Sequence, residues 1–118
     1  MNKPKLYICN AFSLSMLDRD QQDADFPRSP GPVSQEQVLN MIHSWCEHQK
    51  LYEFVSAVGH ADTAALLSKL LDRTIPMNRI SVKLDPEDLL IVAQYIGPRL
   101  PEGATELPPG ATIEWWAV

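Results

Sequence analysis

Apolar and polar positions along this chain switch between two periods, and the switches mark out its elements. Lys5-Leu6-Tyr7-Ile8-Cys9-Asn10 is a short β-favouring run that predicts a first strand. In Ala11 to Leu17, apolar Phe12, Leu14 and Met16 alternate with small polar residues, which predicts continued extension with Ser13 and Ser15 on one face. Asp18 to Val33 loses all periodicity and carries Pro27, Pro30 and Pro32, so it reads as an inserted loop. Ser34 followed by Gln37 has the spacing of a capping box and opens a helix to about Gln49, with Val38, Met41, Ile42 and Trp45 as its buried stripe. His43 and His48 are five apart, off the i,i+4 spacing of a helical metal pair, and read as exposed positions. Tyr52 to Val58 is a buried strand, and Asp62 to Leu71 a helix with Ala65, Leu66, Leu67, Leu70 and Leu71 on its buried side.

Beyond a break at Pro76 and Asn78, Arg79 to Leu84 alternates cleanly, with Ile80, Val82 and Leu84 inward. Asp85-Pro86-Glu87-Asp88 is a turn, and Leu89 to Ile96 returns as a strand, which predicts an antiparallel hairpin. The apolar run from Leu89 to Ala93 suggests a central place in the sheet, with Gln94 as the polar residue at its far end. Gly97-Pro98 ends that strand, Arg99 to Gly103 is a tight charged turn, and Glu106 to Gly110 is a proline-rich connection. Thr112 to Val118, with Trp115-Trp116, reads as a last strand at a sheet edge or a dimer contact.

Composition narrows the class. At 118 residues this is one domain, 1–118, with 18–33 as its loop insertion. A net charge of -5 argues against sequence-blind binding of long nucleic acid, which needs a broad basic surface, but leaves room for a small anion in a locally basic pocket. Cys9 and Cys46 show neither a CxxC spacing nor a histidine at ligand spacing, so no metal site is expected. Two lone cysteines and no leader-like start fit a cytoplasmic protein, and no apolar run approaches the ~20 residues that span a bilayer.

Candidate chemistry gathers at predicted strand ends. His60 stands where a strand meets a helix start, a place where open α/β sheets bind ligands and where backbone N–H groups favour an anion. Asn10, Ser13, Ser15, Ser56, Arg79, Gln94, Arg99 and Glu102 add amides, hydroxyls, two guanidinium forks and a carboxylate. Arginine forks suit phosphates, amides suit adenine edges, and a histidine can serve as general acid in phosphodiester cleavage. The bland alternative is a surface pairing of Arg99 with Glu102 across a turn, which stabilises little.

Asn10-Ala11-Phe12-Ser13-Leu14, Phe54-Val55-Ser56-Ala57-Val58-Gly59-His60, Asn78-Arg79-Ile80-Ser81-Val82 and Arg99-Leu100-Pro101-Glu102-Gly103 together resemble the viral ring nuclease family, from about Leu6 to the C-terminus. These anti-CRISPR proteins degrade cyclic tetra-adenylate, the second messenger of type III CRISPR defence. The resemblance implies an α/β fold with a central mixed sheet, a symmetric homodimer, a ligand cleft between protomers, and cleavage without a metal or other cofactor. It implies that His60 is the catalytic acid, that Glu102 assists it and that Arg99 holds the scissile phosphate. Asn10, Ser13, Arg79 and Gln94 match ligand-binding positions, while Ser15, also matched to the ligand site, stands where relatives carry asparagine. The segment at Gly97-Pro98 is one residue longer than usual, and the stretch 18–33 is either a lid over the ligand or a plain insertion. The expected activity is metal-independent conversion of cyclic tetra-adenylate to linear di-adenylate with 2′,3′-cyclic phosphate ends. Two other classes compete with it: a binder that sequesters the cyclic nucleotide without cutting it, and a small viral DNA- or host-protein interaction module.

Overall fold

The computed structural model describes residues 3–24, 28–101 and 106–118. A five-stranded mixed sheet with the order β2-β5-β4-β1-β3 carries the fold, built from β1 (Lys5–Cys9), β2 (Gly31–Val33), β3 (Glu53–Ser56), β4 (Leu89–Ile96) and β5 (Thr112–Ala117). β1 runs parallel to both β3 and β4, with Ile8 opposite Ser56 and Cys9 opposite Val92, while β5 is antiparallel to β4 and to β2.

The two-residue period of the strands explains the layers, because each strand sends alternate side chains to opposite faces. Leu6 and Ile8 of β1, Ile91 and Ala93 of β4 and Trp115 of β5 join one buried cluster. They meet Val38 of α2 (Gln35–Met41) and Ala64, Leu67 and Leu71 of α3 (Ala61–Leu71). Tyr7 and Cys9, Leu90 and Val92 face the other way and are covered by Leu17, Val82 and Leu84. With both faces covered, β1 and β4 read as near-continuous apolar runs.

α2 begins with the capping box expected from Ser34 and Gln37, both reciprocal hydrogen bonds being present. It continues into π-helical turns over Ile42–His48. In that winding residues five apart share a face, so the exposed His43 and His48 rings stack at 6.5 Å between centroids.

Four expectations are corrected. Residues 11–17 are not extended: Leu14–Met16 is a 3-10 turn capped by Ser13, whose hydroxyl accepts from the Ser15 N–H. The segment 18–33 is not irregular throughout, since Asp18 caps the short helix α1 (Arg19–Asp23) and Gly31–Val33 forms β2. Arg79–Leu84 is not a strand. Val82 and Leu84 are buried as predicted but Ile80 is 44% exposed, and β4 pairs with β1 and β5 instead of with a hairpin partner. The alternation there packs a coil segment onto the sheet face without a ladder of its own. Finally β5 is no edge strand, because β2 covers it, and Trp115 is buried in the core. Among the described residues no helix is long and apolar enough to cross a membrane.

Candidate functional site

The three parallel strands end on the same side of the sheet, and β4 runs four residues past the Cys9–Val92 pair. Beyond those ends lies the crevice in which open α/β sheets hold ligands. Asn10 follows β1 directly, and the chain leaves β3 through Ala57, Val58 and Gly59 to His60, the residue before α3. His60 has an extended backbone (φ -128°, ψ 131°) and its carbonyl accepts the Ala64 N–H at 2.9 Å. Its imidazole does not cap the helix, is exposed, and has no hydrogen-bond partner among the described residues.

The corner is held by side chains from distant parts of the chain. The Gly59 N–H donates to Asn10 Oδ1 (3.3 Å), and Arg79 Nε donates to the Gly59 carbonyl (2.8 Å). One residue earlier in that coil, Asn78 Nδ2 donates to the Ser56 carbonyl (2.7 Å) and the Asn78 N–H to the Val58 carbonyl (2.8 Å). Ser56 Oγ donates in turn to the Pro76 carbonyl (2.6 Å). Residues 76–79 are thus stitched along the end of β3, and Arg79 arrives beside His60.

Asn10, Gly59, His60 and Arg79 line one open cleft of about 580 Å³, floored by Cys9, Ala57 and Val82. Cys9 is no nucleophile there: burial pushes its thiol up to about 11, so it stays protonated near neutrality. Asn10 also borders a second hollow of about 470 Å³, where Gln94 meets the apolar walls of Phe12, Val92, Pro30 and Trp116. Arg99 lies in a third, of about 590 Å³, against Ala61 and Asp62 in the first turn of α3.

Of the sequence-predicted site residues, the structure therefore brings Asn10, His60 and Arg79 into one cleft and places Gln94 and Arg99 in the adjoining hollows. Ser13 and Ser15 line none of the three. They hydrogen-bond each other (2.9 Å between hydroxyls), and the Ser15 carbonyl accepts from Lys83 Nζ (2.6 Å). Glu102 lies outside the described residues. Sequence reasoning missed Asn78 as the stitch that delivers Arg79, and Phe12 and Trp116 as hollow walls. A polar residue directly after the Pro76 break was the available signal for the first. The aromatic pair carried none, because their meeting depends on the β4–β5 register.

Comparisons with known proteins come from archaeal viruses. The chain is 40% identical over 84 residues to "Uncharacterized protein 26" of Sulfolobus islandicus filamentous virus (isolate Iceland/Hveragerdi), covering 68% of each chain. It superposes on the structure of B116 of Sulfolobus turreted icosahedral virus with a TM-score of 0.72 at 23% identity, covering 96% of this chain and 97% of that one. At that identity the likeness speaks for the fold. The sequence pattern of the STIV B116-like family matches residues 6–108, and the chain belongs to that family.

Proposed function

We propose that the protein is a ring nuclease that cuts cyclic tetra-adenylate into linear di-adenylates and so switches off type III CRISPR signalling. The observation that carries the reading is the shared cleft of His60, Arg79 and Asn10 at the ends of the parallel strands, with the imidazole bonded to nothing among the described residues. In the reaction a ribose 2′-hydroxyl attacks the adjacent phosphorus and loses its proton to solvent water. The new P–O2′ bond closes a 2′,3′-cyclic phosphate while the P–O5′ bond breaks. The His60 imidazolium gives its proton to the departing 5′-oxygen, leaving a free hydroxyl.

The nucleophile belongs to the substrate, so the protein has to position it and manage charge. Arg79 has its Nε on the Gly59 carbonyl, which leaves its two terminal nitrogens for a phosphate. Arg99, one hollow away, is the second phosphate ligand, and Glu102, by its family position, assists His60. Gln94 offers an amide to an adenine edge beside the aromatic walls of its hollow. A two-fold homodimer fits a ring of four identical nucleotides, each His60 addressing one of two opposite phosphates.

The test is to incubate the purified protein with cyclic tri-, tetra- and hexa-adenylate in EDTA and to separate the products. The expected result is multiple turnover of the tetramer to di-adenylate ending in 2′,3′-cyclic phosphate. Tight binding that protects the ring without product would support the sequestering reading, and neither binding nor cleavage would overturn both.

A further inference from the structure

We infer that Asn10 is a positioning residue whose hydrogen bond aims His60, and that it acts together with Arg79 as a clamp on the Gly59 peptide groups. This rests on the reading of His60 as general acid and assigns Asn10 a different role from the ligand contact implied by its family position. The geometry is specific. Gly59 is the residue immediately before His60, and both of its backbone hydrogen-bonding groups are gripped by side chains. Asn10 Oδ1 takes the N–H from the end of β1, and Arg79 Nε takes the carbonyl from the coil before β4. The partner atom identifies the amide's orientation: a backbone N–H needs an acceptor, so the Asn10 oxygen faces Gly59.

His60 needs such a device. Its side chain is exposed and bonded to nothing described, and it sits on an extended residue between a strand and a helix. What fixes the direction of its Cα–Cβ bond is therefore the backbone on either side. α3 holds the far side through the Ala64 N–H, and the Gly59 clamp holds the near side. A general acid displaced by about 1 Å loses roughly 100-fold in rate, so two weak hydrogen bonds control more rate than stability. Because one jaw of the clamp is Arg79, a phosphate drawn to the terminal nitrogens of that guanidinium also steadies the peptide that carries the acid.

The experiment is single-turnover cleavage of saturating cyclic tetra-adenylate, with equilibrium binding measured in parallel, by wild type, His60→Ala, Asn10→Ala and Asn10→Asp. A second substrate replaces the bridging 5′-oxygen of the scissile links by sulfur, whose thiolate leaves without protonation. On the natural ring Asn10→Ala falls by roughly 10- to 100-fold in rate, while its dissociation constant stays within about threefold. Asn10→Asp, which keeps an oxygen for the Gly59 N–H, regains most of that rate. On the sulfur-bridged ring both His60→Ala and Asn10→Ala approach wild type. If sulfur rescues His60→Ala but not Asn10→Ala, or if Asn10→Ala loses affinity instead of rate, the clamp is wrong and the nuclease reading stands. If His60→Ala cuts the natural ring at full rate, the general-acid reading falls. Should Asn10→Ala fail to fold, the nearly isosteric Asn10→Leu, which fills the same space without an acceptor for the Gly59 N–H, carries the same sulfur-rescue comparison.

Discussion

The two ends of the parallel strands are built from similar residues used in opposite ways. At the N-terminal end Asp88 and Gln21 are buried and spend their polar groups on the protein itself. The Asp88 carboxylate, 4% exposed, accepts the backbone N–H groups of Lys5 (2.8 Å) and Asp85 (3.0 Å). Arg28 reaches Gln21 Oε1 and the carbonyls of Asp88 and Val118, while Gln21 Nε2 donates to the Leu84 carbonyl. At the C-terminal end Gln94, Arg79, Arg99 and His60 are all exposed. Buried polar groups are there to satisfy one another and the backbone, whereas polar groups left outward at a strand-end crevice are available to something else. Arg28 thus spends its guanidinium on the protein's own carbonyls, whereas Arg79 commits only its Nε and Arg99 lies exposed, and composition alone treats them alike.

The comparison breaks most visibly if His60 matters to the fold. His60→Ala is expected to cut turnover of cyclic tetra-adenylate by roughly 10²–10⁴-fold while its thermal midpoint and ligand affinity stay near wild type, since the imidazole touches nothing described. Full turnover, or a large drop in midpoint, would erase the distinction between the ends. The mirror experiment is Arg28→Ala. It leaves the Asp88 carbonyl and the Gln21 amide oxygen without their donor, while the Asp85 and Val118 carbonyls keep a backbone N–H, at a cost of about 2 kcal/mol, or roughly 8 °C in Tm. The rate of the surviving folded protein should match wild type, as judged by assays well below the new midpoint.

How much was legible beforehand follows the same division. The strands β1, β3 and β4 and the helix α3 were readable because burial on both sheet faces or along one stripe writes itself into local periodicity. Ser34 and Gln37 marked their helix start because a capping box lies within four residues of sequence. What failed was pairing. Ile80, Val82 and Leu84 alternate like a strand, yet two of them are buried by lying on the sheet face and no ladder forms. β2 escaped notice because Pro32 suppresses any strand signal, although an edge strand tolerates it. For the candidate site, residue types at strand ends pointed to His60, Asn10 and Arg79, which line one cleft. The stitch through Asn78 and the grip on Gly59 depend on contacts across 22, 20 and 49 residues, which no local pattern encodes.

The open end still has a dry floor, and Cys9 measures it. Its thiol moves from an ordinary 9.0 to about 11 because burial disfavours the thiolate. Between those values the unfolded chain has shed a proton that the folded chain retains. Stability from this group is therefore complete below pH 9 and declines as pH climbs through 11, by about 2–3 kcal/mol in all. Cys46, pushed up to about 11 by burial and then by Glu47, and Tyr7, raised by burial, add to the same alkaline decline. Chemical denaturation from pH 8 to 11 should show a steeper loss for wild type than for Cys9→Ala. Parallel curves would mean that solvent reaches the floor of the cleft.

The smallest effect sharpens the closed end instead. Asp72 ends α3 in the left-handed region (φ 50°, ψ 48°), where a Cβ is strained, and places a carboxylate at the negative end of a helix. Asp72→Gly removes both faults and adds some unfolded-chain entropy, so the net gain should be about 0.5–1 kcal/mol, or a few degrees in Tm. α3 carries His60 before its first turn and Asp72 after its last, so the substitution alters one end of the helix only. If the two ends are as separate as their hydrogen bonding indicates, the single-turnover rate will be unchanged while the midpoint rises. A rate that shifts with the midpoint would instead show that α3 transmits its C-terminal strain to His60 at its start.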